Sequence, residues 1–76
     1  MIKEHDCVIL TVELPAERLR PGDLGAIVHV HADGAGYEVE FMTLDGRTLG
    51  VVTLLPTQIR AIGKHQIANV RDWATA

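Results

Sequence analysis

The most informative part of this chain reads Leu19-Arg20-Pro21-Gly22-Asp23-Leu24-Gly25-Ala26-Ile27-Val28, and it continues, after a short interruption, as Tyr37-Glu38-Val39-Glu40-Phe41. Pro21-Gly22 predicts a turn, because proline fixes φ and glycine tolerates the positive φ that such a turn requires. The apolar run after this turn predicts a strand. The small residues at 33–36 then predict a hairpin loop that leads into a second strand.

Turn residues divide the rest of the chain into further short segments rich in β-branched residues. The five predicted strands are 7–12, 24–32, 37–42, 47–54 and 60–62. Asp45-Gly46 is a strong hairpin signal, and Gly50 predicts a bulge or bend within the fourth strand. The expected fold is all-β, a small five-stranded antiparallel barrel over residues 1–63.

The alternation of side chains along a strand predicts a register for the hairpin between the second and third strands. Tyr37, Val39 and Phe41 share one face, which we expect to be buried. A pairing of Val30 with Val39 and of Val28 with Phe41 keeps the valines on that face. A slip of one residue would instead place the aromatic side chains in water.

The same register brings polar side chains together on the outer face, with His31 facing Glu38 and His29 facing Glu40. Imidazole and carboxylate groups are ligands of zinc and related ions. Metal ligands, however, usually converge in a sheltered pocket, which the outer face of two strands does not provide. We therefore expect solvated His–Glu pairs, with these four residues as weak metal candidates only, and no cofactor.

Residues 64–76 have a different pattern. Ile67, Val70, Trp73 and Ala74 recur at spacings of three and four, which predicts a short helical tail beyond the barrel. A helix of this length is marginal in isolation. The tail is therefore expected to pack on the barrel, to bind a partner or to be disordered, and the sequence leaves these three alternatives open.

The composition restricts the functional class. A chain of 76 residues forms one domain with a small core, and its net charge of −3, from 7 Lys and Arg against 10 Asp and Glu, disfavours nucleic acid as a partner. The apolar runs are far shorter than the roughly 20 residues that cross a bilayer. The amino terminus is charged, and Cys7 is the single cysteine. We expect a cytoplasmic protein that does not contact membranes.

The sequence also argues against catalysis. Cys7 lies in an apolar strand, where we expect a buried and unreactive thiol. Gly34-Ala35-Gly36 lies in a hairpin rather than at the start of a helix, so it lacks the geometry of a phosphate-binding loop. The sequence has no serine nucleophile elbow. The chain is therefore not expected to be an enzyme.

Three segments carry a resemblance to a known family: Asp6-Cys7-Val8, residues 19–28 and residues 33–41. They follow the patterns Asp-x-Val, Leu-x-x-Gly-Asp-x-Gly-x-Ile-Val and Asp-Gly-x-x-Tyr-Glu-Val-Glu-Phe. Over residues 5–62 the chain resembles a family of short bacterial proteins of unknown function with a Src-homology-3-like barrel. The resemblance implies a free-standing module, and some such proteins resemble immunity- or antitoxin-type partners of a neighbouring protein.

The leading hypothesis is a non-catalytic protein-interaction module that binds one partner or associates with itself. The candidate contact residues are apolar side chains left over after the core is filled: Trp73, Val70, Ile67, Met42 and Leu44. The alternative is a nucleic-acid-binding barrel that uses basic residues in loops and at strand ends, namely Arg18, Arg20, Arg47, Arg60 and Lys64. Few aromatic residues remain to stack on bases, which disfavours this alternative.

Overall fold

The computed structural model describes residues 1–73 and contains one five-stranded antiparallel sheet. The strands are β1 (Cys7–Leu10), β2 (Leu24–His31), β3 (Gly36–Met42), β4 (Thr48–Leu54) and β5 (Ile59–Ala61), with 3₁₀ turns at Pro15–Glu17 and Pro56–Gln58. The predicted all-β class with five antiparallel strands is confirmed. The order β4-β3-β2-β1-β5 leaves β4 and β5 as edges over the described residues, so the sheet is not closed into a barrel.

The hydrophobic core lies against the inner face of this sheet, and every strand contributes to it because side chains alternate between the two faces. Its buried members are Val8, Leu10, Leu19, Ile27, Tyr37, Val39, Phe41, Leu54 and Ile59. Leu19 is the one member that comes from the long connection between β1 and β2. This connection is therefore anchored by its own core residue.

The register of β2 against β3 differs from the prediction. Ile27 pairs with Val39 and Val30 pairs with Tyr37, and a register shift between these pairs adds one residue to β2. The extra residue turns Val28 outward, where it is 44% exposed. Both predicted valine pairings are therefore wrong, whereas the predicted burial of the aromatic face of β3 is confirmed.

The β3–β4 hairpin agrees with its sequence signals. Asp45-Gly46 lies in the turn, and Gly46 has a φ of 88°, a conformation that favours glycine. The predicted irregularity in β4 is also present, because Phe41 pairs with Gly50 while Met42 pairs with Thr48. The hairpin therefore projects a short turn beyond the sheet, next to the carboxyl-terminal residues.

The carboxyl-terminal segment contradicts the predicted helix over residues 64–73, which contain none. Gln66 instead closes a local turn, with its Oε1 atom accepting hydrogen bonds from the Gly63 N–H at 2.7 Å and from Arg60 Nη1 at 3.1 Å. Trp73 packs against the core while Ile67 is 96% exposed, so the supposed apolar stripe is divided. Contacts of individual side chains replace a helix that is too short to be stable alone. The predicted contribution of Ala74 lies outside the described residues.

Gly25 is the position where β2 tolerates no side chain. A Cβ atom built on it would lie 2.5 Å from Val39 Cγ1 and 2.9 Å from Phe41 Cε1, both inside van der Waals contact. We expect Gly25→Ala to lower the free energy of unfolding by about 1–3 kcal/mol because it overpacks the core. Gly50→Ala is the matched control, since a Cβ there meets nothing within 4 Å. Urea unfolding of both variants measures the difference, and equal stabilities would contradict this account of the packing.

Candidate binding groove

A groove of about 480 Å³ lies between the β3–β4 turn and the carboxyl-terminal residues 69–73. It collects four of the five predicted contact residues, namely Met42, Leu44, Val70 and Trp73. The fifth, Ile67, is exposed but does not line the groove. The structure thus brings together apolar residues from two parts of the chain that are far apart in sequence.

One wall of the groove is fixed by an ion pair that sequence reasoning missed. Arg71 donates from Nε to Asp23 Oδ1 at 2.8 Å and from Nη2 to Asp23 Oδ2 at 2.6 Å. The same Nη2 donates to the carbonyl oxygen of Arg18 at 3.0 Å. A two-point bond between guanidinium and carboxylate fixes orientation as well as distance. It therefore ties the carboxyl-terminal segment to the connection between β1 and β2.

Asp23 is held in its charged form. Burial alone would raise the pKa of Asp23, but the hydrogen bonds from Arg71 and from the Arg20 N–H, together with both positive charges, outweigh burial and lower this pKa. The hydrogen bond to Asp23 also raises the pKa of Arg71. Two local signals mark Asp23 in the sequence: the Pro21-Gly22 turn, and its place one residue before β2. Nothing in the sequence pairs it with Arg71.

Trp73 completes the same attachment. Its indole Nε1–H donates to the carbonyl oxygen of Glu17 at 3.3 Å, and the guanidinium carbon of Arg18 lies 5.8 Å from the centre of the indole ring. Such a cation over an aromatic face is stabilising. Trp73 is partly buried against the core, so its ring supports the groove from the inside. Of the three arrangements considered for the tail, packing on the domain is the one seen for Arg71 and Trp73.

The opposite wall is the turn between β3 and β4. Thr43 accepts a backbone hydrogen bond from Arg47, and its hydroxyl donates to Asp45 Oδ1. The hydrogen bond from Thr43 lowers the pKa of the Asp45 carboxyl, so this side chain is also held in its charged form. Leu44 stands at the tip with 90% of its surface exposed. Because the turn is braced by its polar residues, an apolar side chain is held out in water.

The His–Glu face contains one of the two predicted pairs. His31 Nε2 donates to Glu38 Oε2 at 2.7 Å, which confirms this pair. The hydrogen bond from His31, and then that from the hydroxyl of Thr53, lower the pKa of Glu38. These contacts provide hydrogen-bond partners for the Glu38 carboxylate on the outer face of β3. The predicted pairing of His31 with Glu38 thus survives the change of register through the reach of its side chain.

The second predicted pair, His29 with Glu40, is wrong. The register shift places His29 opposite Glu38, with its Nδ1 atom 3.9 Å from Glu4 Oε2. Glu40 instead accepts a hydrogen bond from the hydroxyl of Thr48 at 2.7 Å. Over residues 1–73, no group of three or more His, Cys, Asp or Glu side chains is arranged to hold a metal ion.

Two further points concern the thiol of Cys7 and membrane-spanning helices. Cys7 is exposed, so its predicted burial is wrong: it alternates with the buried Val8 and points to the outer face. No helix in the described part of the chain has the length and hydrophobicity needed to cross a membrane.

The basic residues of the nucleic-acid alternative lie in several surroundings. Arg18 and Arg20 line a second depression together with Glu13 and Asp72, so carboxylates accompany these cations. Arg47 lines the main groove, and Arg60 binds Gln66.

The Asp23–Arg71 pair makes stability depend on pH. Because the folded pKa of Asp23 is below its ordinary value of 3.8, the ionised carboxylate stabilises the fold above pH 3.8, and this contribution is lost as the pH falls through the folded pKa. We expect Arg71→Gln to raise the pKa of Asp23 measured by NMR. The free energy of unfolding should also fall less steeply below pH 3.8 than it does in the parent chain. Asp33→Asn, which removes an exposed loop carboxylate, is the control and should leave both measurements unchanged. An unmoved Asp23 titration in Arg71→Gln would refute the assignment.

Comparison with curated proteins and with solved structures gave no match. A family model described as a domain of unknown function (DUF4926) matches residues 4–61, which include all five strands and exclude the carboxyl-terminal wall of the groove. The expected relation to an uncharacterised family is confirmed. With its whole sheet inside the match, the chain belongs to the DUF4926 family, a domain of unknown function.

Proposed function

We propose that this chain is a non-catalytic protein-interaction module that holds one protein partner in the groove between the β3–β4 turn and the carboxyl-terminal segment. The observation that carries the proposal is the presentation of Leu44, Met42 and Val70 to water around one concave site. Apolar side chains held out around a groove are typical of contact surfaces. The ion pair and the braced turn fix both walls, so little conformational freedom is lost when a partner binds.

The charge of the chain indicates the kind of partner. The net charge is −3, and the groove is lined by three carboxylates, Asp23, Asp45 and Asp72, against two guanidinium groups, Arg47 and Arg71. Electrostatic complementarity favours a basic segment that inserts an apolar anchor. An acidic accessory protein of the immunity or antitoxin type, bound to a basic partner, fits these features. The distribution of the basic side chains supports a protein partner over nucleic acid.

The proposal extends to the setting of the protein. A lone and exposed thiol at Cys7 is compatible with the reducing cytoplasm, where thiols stay free. The strand order β4-β3-β2-β1-β5 supports the resemblance to small Src-homology-3-like barrels that serve as free-standing modules. In this interpretation the groove binds and does not catalyse.

The test is capture of a partner from a lysate of the native host with the tagged full chain. We expect Leu44→Asp to abolish capture, because it places a charge where the apolar anchor would sit. The fold should be unaffected, since Leu44 is 90% exposed. Circular dichroism and urea unfolding check that the variant remains folded.

Ile67→Asp is the matched control, because Ile67 is equally exposed and lies outside the groove. The captured protein should bind this variant as it binds the parent chain. Loss of binding with Ile67→Asp but not with Leu44→Asp would assign the contact to the tail and overturn the groove proposal. Binding that survives both substitutions would overturn it as well.

A further inference from the structure

The edge strand β4 has no partner on its outer side within residues 1–73. It spans Thr48–Leu54 and pairs with β3, and no other described strand or loop makes a backbone hydrogen bond to it. An edge strand presents unpaired N–H and C=O groups that favour the addition of another strand. At seven residues, β4 is long enough for such an addition.

Apart from the irregularity next to Gly50, this edge lacks the usual protection against pairing. Natural edge strands carry charged residues, proline or a short length that discourages a second strand. Residues 48–54 contain no charged residue and no proline, and four of the seven are β-branched: Thr48, Val51, Val52 and Thr53. The carboxylates of Glu38 and Glu40 belong to β3, one strand away from the open edge. Glu40 and Glu38 each accept a hydrogen bond from a threonine of β4, at 2.7 Å from Thr48 and 2.8 Å from Thr53.

We propose that β4 pairs antiparallel with β4 of a second copy of this chain, across a two-fold axis at Val51. Full overlap of the seven residues places the axis at this central position. Every residue of the strand then faces an uncharged residue, so two chains of net charge −3 meet along a line without like-charge contacts. A two-fold contact of this kind is self-complementary and uses one surface twice.

The other edge explains why the assembly stops at two chains. The strand β5 has only three residues, Ile59–Ala61, and its central Arg60 is exposed and charged. Such an edge discourages addition of a strand. Each chain therefore has one long open edge, and pairing through β4 leaves no second long edge to which a further chain could add. A domain of this size also has a small core, for which association is a common source of added stability.

The experiment compares two lysine substitutions in the full chain by sedimentation equilibrium. Val51→Lys places like charges opposite each other at the two-fold axis, and Val51 is 53% exposed, so the single chain should still fold. We expect the dimer dissociation constant to rise about fivefold or more. Val28→Lys is the matched control on β2, away from the edge and 44% exposed, and it should dimerise as the parent chain does.

A mixture of Val51→Lys and Val51→Glu chains provides the second measurement. Opposite charges across the axis stabilise the pair, so the mixture should dimerise more tightly than either variant does alone. A parent chain that sediments as a single copy at high concentration would overturn the proposal, as would an undisturbed Val51→Lys dimer. An equal loss of dimer in Val28→Lys would assign the contact to the outer face of the sheet, and this result would also overturn the proposal. Leu49 is the one residue of β4 that lines the groove, whereas Val51 and Val28 lie outside it. The outcomes at these two positions are therefore distinguishable from capture by the groove.

Discussion

The close approach of β2 to β3 at Gly25 is the constraint on which the rest of the structure depends. Val39 and Phe41 occupy the space that a side chain at this position would fill. The resulting packing sets the inner face of the two central strands, and β1 and β4 add to them on either side. In a core of so few residues, a single methyl group is a substantial fraction of the packing.

The second determinant is the attachment of the carboxyl-terminal segment to the connection between β1 and β2. Arg71 binds Asp23 through two hydrogen bonds, and Trp73 packs against the core. These contacts lie at a turn that belongs to the DUF4926 match, whereas Arg71 and Trp73 lie beyond it. The proposed binding groove thus combines a surface of the family domain with a segment outside the family match.

The two proposed surfaces differ in physical character. The groove offers apolar side chains between braced walls, which favours a partner with a complementary anchor. The β4 edge offers backbone hydrogen-bonding groups along an uncharged strand, which favours another strand. One surface therefore recognises side-chain shape, while the other recognises extended backbone. A chain of 76 residues has room for both because the groove is at the turn and the edge runs along the sheet.

Local patterns in the sequence were sufficient for the strands and most turns. The alternation of Tyr37, Val39 and Phe41 with glutamates predicted which face of β3 is buried, because burial of alternate side chains is a property of the strand itself. The turn at Asp45-Gly46 and the irregularity near Gly50 also follow from the backbone freedom of glycine. The exposed Leu44 and Met42 were found as apolar residues for which the core has no place.

Other features depended on tertiary structure. The extra residue at Val28 changed the register of the hairpin, since the pairing register is set between two strands and not within either strand alone. The spacing of Ile67, Val70 and Trp73 favoured a helix, but contacts of Trp73 and Arg71 with a connection some fifty residues earlier hold this segment in a non-helical path. The sequence by itself determined the local conformation of each strand. Long-range ion-pair and aromatic contacts decided the side on which residues 69–73 pack, and hence formed the groove. A local sequence pattern does not predict such contacts, because their partners lie some fifty residues apart.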